Sequence, residues 1–252
     1  MADDKYAIPL TSADWEGIFG YLREKPTALF HDDLIRKAIV RRRAEHFGLD
    51  QAYAGDRSAM IDIAVEYNRQ HMHNALESHS QRLIWPLVML DPFYTDRASM
   101  RVLSVGPRTE GELFKLMAAG FSPDKIDAID IVSNSPLIEV GDMHDIKKPD
   151  NTYDAIIAGW LLPYSREPKR ALAEMCRVLK SGGVIAIGLT REPEDSAEHQ
   201  KLIAQGSATY LSINQIMADF PDSARLKLLF AAEPDDRSRK GAILMIARVL
   251  KV

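Results

Sequence analysis

Apolar residues recur with two different spacings along the chain, and the spacing changes near residue 98. Before that point they fall three and four apart. Trp15, Ile18, Phe19 and Leu22 form one such set; Leu34, Ile35, Ile39 and Val40 form a second, closed by Gly48. A third set, with Ile61, Val65 and Met72, predicts a helix over about 58–84. This is the pattern of amphipathic helices that turn one face to a core. Pro86 and Pro92 interrupt the apolar run at 85–94, so that run is expected to be a bridge rather than a helix.

From residue 101 short apolar runs alternate with helical patterns. "MRVLSVG" reads as a strand. "TEGELFKLMAAG" follows as a helix, with Thr109 as N-cap, Thr109 and Glu112 at capping-box spacing, and Gly120 as its stop. "KIDAIDI" and "YDAIIAGWL" are further strands. "EPKRALAEMCRVLKSGG" is a helix ended by glycines, "VIAIGL" a strand and "SINQIMADF" a helix. Strand–helix alternation predicts βαβ units and a parallel sheet. The last two runs, "RLKLLFAAE" and "GAILMIARVL", are joined by about ten residues without a helical pattern. That is too short for a parallel crossover, so an antiparallel pair is expected. The chain thus divides into a helical segment over 1–97 and an α/β segment over 98–252.

Composition narrows the class of partner. With 46% hydrophobic and 27% charged residues, the 252-residue chain can bury a sizeable core. A net charge of −4 gives no overall attraction to nucleic acid, and no nucleic-acid partner is expected. The single cysteine, Cys176, excludes a disulfide framework and sits among apolar neighbours in a helical pattern, which marks it as core. The start "MADDKYAIPL" lacks the pattern of a secretory signal, and the run at 83–90 is too short to span a bilayer. A cytoplasmic location follows as the expectation. Self-association into a homodimer is compatible with the sequence.

Chemistry concentrates at the ends of the strands. Gly106 closes the first strand just before a helix, where glycine lets the backbone approach a ligand and the helix start offers N–H groups. A strand–helix turn can look the same and bind nothing. Asp130 ends the next strand, twenty-four residues after Gly106, where an acid can accept hydrogen bonds from ribose hydroxyls. Asp127, three residues earlier, falls on the opposite strand face. A third acidic turn, "GDMHDI", precedes the strand "YDAIIAGWL". His71, His73 and His79 carry no metal-binding pattern, and His71 is a candidate general base. Tyr164 follows the third strand, where a substrate would sit. The basic run Arg41, Arg42 and Arg43 reads as a solvated helix face.

Taken in order, the Gly106 loop, Asp130, "GDMHDI", "DNTYDAII" and "EMCRVLKSGGVIAIG" resemble the class I S-adenosylmethionine-dependent methyltransferases over roughly residues 98–252. "AEMCRVLKSGG" is similar to a helix-and-turn segment common in that family. The resemblance implies a Rossmann-like seven-stranded, mostly parallel sheet with an antiparallel last strand, plus a helical N-terminal extension over the substrate. It implies S-adenosyl-L-methionine as cofactor and a small-molecule or glycan acceptor. Gly106, Arg108 and Thr109 would lie along the methionine part, Asp130 with Ile131 at the ribose, and Asp142 with Met143 at the adenine. Gly159 and Trp160 would face the methyl and the acceptor. Two departures stand out. Ser104 occupies a position that is usually acidic, and Arg108 and Glu110 stand where loop glycines are usual, with Gly111 one position later. They motivate one rival, a methyltransferase-like scaffold or regulator that binds cofactor or nothing. A lesser rival is a nicotinamide-dependent dehydrogenase, whose ribose contact Asp130 fits equally but against which the incomplete glycine pattern and the antiparallel end pair count.

Overall fold

In the computed structural model the chain is described at residues 10–25, 28, 32, 34–35, 38–39, 51–52, 62–63, 65–66, 80–133, 135–236 and 238–251. Helix α1 (Ser12–Glu24) begins at a full capping box. The Thr11 hydroxyl accepts from the Asp14 N–H, and the Asp14 carboxylate accepts from the Thr11 N–H. Residues 28, 34–35, 38–39, 62–63 and 65–66 are helical. The N-terminal segment is not helical throughout, however. Strand β1 (Gln51–Ala52) pairs antiparallel with β4 (Val132–Ser133). A two-residue strand has too few positions to show a spacing.

The apolar run with two prolines is also not a bridge. Helix α2 (Gln81–Val88) runs straight through Pro86, and α3 (Phe93–Asp96) follows. A proline inside a helix costs about 3 kcal/mol. Against this, Leu83, Ile84, Leu87 and Val88 are all buried, at roughly 1.5–3 kcal/mol per side chain. Packing outweighs the missing hydrogen bond.

The remaining elements are β2 (Val102–Val105), α4 (Gly111–Ala118), β3 (Ile126–Asp130), β4, β5 (Glu139–Val140), β6 (Tyr153–Gly159), α5 (Pro168–Val178), β7 (Leu179–Arg191), α6 (Ala197–Ala204), α7 (Ile213–Ala218), β8 (Ala224–Ala232) and β9 (Gly241–Lys251). Helix α6 was not anticipated from the sequence. The glycines at 182 and 183 do not end α5 either: the helix stops at Val178, and they lie within β7, Gly182 at φ +83°.

Seven strands form one sheet in the order β5-β3-β2-β6-β7-β9-β8. Neighbours are parallel except β9, which is antiparallel to both β7 and β8. Side chains alternate between two cores. Leu103, Val105, Ile156, Ile185 and Ile187 meet α5 and α7 on one face, while Val102, Ala155, Ile157, Val184 and Ala186 meet α2 and α3 on the other. Burial on both faces explains why these strands read as continuous apolar runs. Chain order reverses between β2 and β6. Successive strands run outward to β3 and β5 on one side and to β7 on the other. The loops leaving β2 and β6 therefore part and open a crevice.

Candidate functional site

The crevice is lined from three directions. From β2 comes the loop that starts at Gly106. Its φ is +71°, a conformation that favours glycine, and a Cβ there would stand 2.9 Å from Leu161 Cδ1, so that side chain would have to shift. Arg108 holds the left-handed conformation usual for glycine, at φ +63°. Its N–H donates to Asp130 Oδ2 at 2.7 Å, while the Val132 N–H donates to Oδ1 at 3.2 Å. Asp130 is buried, and burial pushes its carboxyl up to about 6 despite these amide donors.

Helix α4 starts differently from the sequence expectation. Glu110, not Thr109, is the residue before the helix, and its carboxylate accepts from the Ser135 hydroxyl. Glu112 does not turn back to cap. It points inward, where it accepts from the Ser104 hydroxyl at 2.6 Å and from the Ser80 hydroxyl. Two buried hydroxyls hold it more firmly than a capping contact at the surface would. The carboxylate missing from position 104 is thus laid against that position by the next helix. Burial raises the Glu112 carboxyl above its ordinary value.

From β5 comes the turn at 141–146. The Gly141 N–H donates to the Asp130 carbonyl at 2.9 Å, which joins the two acidic turns. Asp142 Oδ1 accepts from the His144 N–H at 2.9 Å and meets His144 Nδ1 at 2.5 Å; Oδ2 accepts from Arg166 Nη2 at 2.8 Å. Burial would raise this carboxyl, but His144 and Arg166 hold it well below the usual range. His144 Nε2 lies 2.7 Å from Ser165 Oγ, which also accepts from the Glu167 N–H. The order Asp142–His144–Ser165 is that of a hydrolytic relay, but Ser165 is 1% exposed and cannot reach a substrate. The relay fixes the turn.

From β6 comes Gly159, then Trp160 at φ +56° and the short 3-10 turn Leu162–Tyr164. A cleft of about 730 Å³, open mouth included, gathers Gly106, Arg108, Asp130, Ile131, Asp142, Met143, Gly159, Trp160 and Tyr164. Of the residues singled out in the sequence, Thr109 is buried away from this cleft, and His71 lies outside the described residues. Cys176 is in the core, its thiol pushed up to about 11 by burial. The sequence reading singled out neither Leu161 nor Gly141 for the cleft. It set His144 beside the adenine contact as a positional residue, and His144 lines the cleft and holds the acidic turn.

Residues 111–187 match the family model described as a methyltransferase domain. The chain is 34% identical over 90 residues to a demethylmenaquinone methyltransferase of Symbiobacterium thermophilum, with 29% of this chain covered. It is 33% identical over 104 residues to one of Staphylococcus haemolyticus, with 36% of this chain covered. The chain spans 36% and 44% of those relatives' lengths, less than half of either. Among solved structures, it is similar to a chain described as a methyltransferase in complex with the Haloferax volcanii methyltransferase activator. That match has a TM-score of 0.53 at 18% identity, over 78% of this chain and 100% of that one. At such identity the likeness speaks for the fold alone. With its reversed last strand and its matched segment, the α/β region has the Rossmann-like fold seen in S-adenosylmethionine-dependent methyltransferases, and residues 111–187 are similar to a methyltransferase domain.

Proposed function

We propose that the chain transfers a methyl group from S-adenosylmethionine to a small-molecule acceptor. The observation that carries this reading is the convergence of two buried acids and an aromatic wall on one cleft at the sheet's switch point. The lining suits the cofactor. Gly106 leaves room where a Cβ would clash, Asp130 and Asp142 offer acceptors to hydroxyl and amino groups, and Arg108 is the cation lining the described cleft. The incomplete glycine pattern of the first loop and the antiparallel end pair count against the dehydrogenase alternative.

When bound, S-adenosylmethionine supplies a methyl group already activated by its sulfonium charge. The protein's part is then mostly placement. Asp130 would receive the ribose hydroxyls, and Asp142 with Met143 the adenine edge. Gly159 and Trp160 would bound the end where the acceptor enters. Tyr164 lines the same cleft, where its hydroxyl could hydrogen-bond the acceptor. The relatives named for demethylmenaquinone support a ring-bearing acceptor. The variant loop does not by itself argue for a protein without turnover. Arg108 keeps the glycine-like backbone, and Glu112 restores a carboxylate beside Ser104.

Calorimetry with S-adenosylmethionine, S-adenosylhomocysteine and NAD tests the reading, followed by mass spectrometry of methyl transfer to 1,4-dihydroxynaphthalene. Micromolar binding of the first two ligands, lost in Asp130→Ala, is expected. Failure of both to bind, or tight binding of NAD, sinks it. Binding with no transfer to any acceptor in a small-molecule panel would favour the non-catalytic alternative.

A further inference from the structure

We infer that Trp160 is the acceptor-selecting wall of the cleft, and that the acceptor it selects is an uncharged planar aromatic ring rather than a glycan. This rests on the methyltransferase reading above. A bulky residue at φ +56° is costly and persists only where its surroundings enforce it. Here they do so at several points. The Trp160 N–H donates to the Gly188 carbonyl at 2.5 Å, and the indole Nε1–H donates to Thr190 Oγ1 at 2.9 Å. The Arg82 guanidinium lies 5.8 Å from the ring centroid. A Cβ on Gly188 would come within 3.1 Å of Trp160 Cζ3, so β7 is left bare where the ring passes. An indole fixed by its backbone, its N–H and a bare strand is a preorganised surface rather than a loose cover.

Its place in the cleft assigns it to the acceptor. β6 is separated from β3 by β2, so Trp160 and Asp130 stand about two strand spacings, roughly 10 Å, apart. The cofactor's sugar and base belong to the side of Asp130 and Asp142, and the acceptor to the other. At that other end the described lining is Gly159, Trp160, Leu161 and Tyr164, and the one charged group described at the Trp160 ring, the Arg82 guanidinium, stands outside that lining. A sugar ring needs several polar partners on each face. A flat aromatic ring needs a flat partner and one or two hydrogen bonds to its substituents.

The test is calorimetry on the whole chain saturated with S-adenosylhomocysteine, with 1,4-dihydroxynaphthalene, cyclohexane-1,4-diol and maltose as probes. The naphthalene diol is expected to bind at least about tenfold tighter than either saturated probe. Trp160→Ala should weaken it about tenfold, and Trp160→Phe much less. Thr190→Val, which leaves the ring in place but untethered, should weaken it about threefold. S-adenosylhomocysteine affinity should stay within about threefold throughout, which also reports that each variant is folded. The inference is overturned if the saturated probes bind as well as the aromatic one, or if the aromatic probe does not bind. It is also overturned if Trp160→Ala leaves aromatic binding unchanged, or weakens S-adenosylhomocysteine as much as the probe. Intact S-adenosylhomocysteine binding with a failed aromatic probe removes only this inference. Its absence from the wild-type protein removes the methyltransferase reading as well.

Discussion

The two acidic turns of the cleft solve the same problem in opposite ways. Asp130 and Asp142 are both buried, at 4% and 3% exposure, and their turns are joined by one backbone hydrogen bond. Asp130 has backbone amides as its described hydrogen-bond donors, and burial wins: its carboxyl is pushed up to about 6. Asp142 has an imidazole and a guanidinium, and the donors win: its carboxyl lies far below the usual range. At the first acid burial outweighs its donors, and on the proposed reading a ligand's hydroxyls would add to them. The second is already neutralised and holds the turn in shape. A sequence shows both as an Asp after a short apolar run.

Removal of each acid should therefore have opposite consequences. Asp142→Ala strands the Arg166 and His144 donors and should cost about 3–5 kcal/mol in a urea unfolding experiment. Asp130→Ala removes a buried charge as well as an acceptor, so its effect on stability should stay within about 1 kcal/mol while S-adenosylhomocysteine binding is lost. Equal destabilisation by the two substitutions would end the contrast. Glu112 supplies an intermediate case. Glu112→Ala leaves the Ser80 and Ser104 hydroxyls without that partner and should cost about 2 kcal/mol, whereas Glu112→Gln, with the shape kept, should cost under about 1 kcal/mol.

The pH dependence sharpens the comparison further. The folded Asp130 carboxyl, near 6, lies above its ordinary value of 3.8, so the folded protein holds this proton more tightly than the unfolded chain. Its contribution to stability is complete below about 4 and is lost as pH rises through 6, a change of about 3 kcal/mol. Ligand binding should run the other way. Below pH 6 the proton occupies the acceptor, and S-adenosylhomocysteine affinity should fall by up to about tenfold per pH unit. Asp142 has its proton-linked loss at far lower pH, so its stabilisation is fully present and adds no pH dependence in this window. Unfolding and binding measured at pH 5, 6 and 7, for wild type and Asp130→Asn, isolate the effect. Stability and affinity that rise and fall together would contradict it.

The positions of the cleft were legible because they are local. A glycine or acid directly after an apolar run marks a strand end, and strand order follows from alternation and connection length. Gly106, Asp130, Asp142 and Gly159 all carry that mark. What the sequence concealed is what those residues rest on. Arg166 reaches Asp142 from twenty-four positions away, and Ser80 reaches Glu112 from thirty-two. No spacing rule encodes either pair, because a fold and not a helix turn brings them together. Pro86 misled for a related reason. Local chemistry says break, and four buried neighbours, visible only once α2 lies on the sheet, say otherwise. The capping-box pattern at Thr109 and Glu112 fits the local rule and still yields to two buried hydroxyls.

The smallest effect concerns Arg108, whose backbone N–H ties the first turn to Asp130. A non-glycine residue at φ +63° carries a strain of about 1 kcal/mol. Arg108→Ala keeps that strain and the N–H bond to Asp130; Arg108→Gly keeps the bond and releases the strain. Glycine's greater freedom in the unfolded chain offsets part of the gain, so Arg108→Gly should exceed Arg108→Ala in stability by no more than about 1 kcal/mol. Binding then reports on the guanidinium alone, since both variants lack it. If the side chain grips the cofactor carboxylate, both should bind S-adenosylhomocysteine several-fold more weakly than wild type. The deficit should shrink as salt is raised, because the interaction is between charges. If the side chain instead closes the cleft, both variants bind more tightly. Weaker binding is the expected result, because Arg108 is the cation lining the described cleft and, without it, Asp130 would repel a carboxylate.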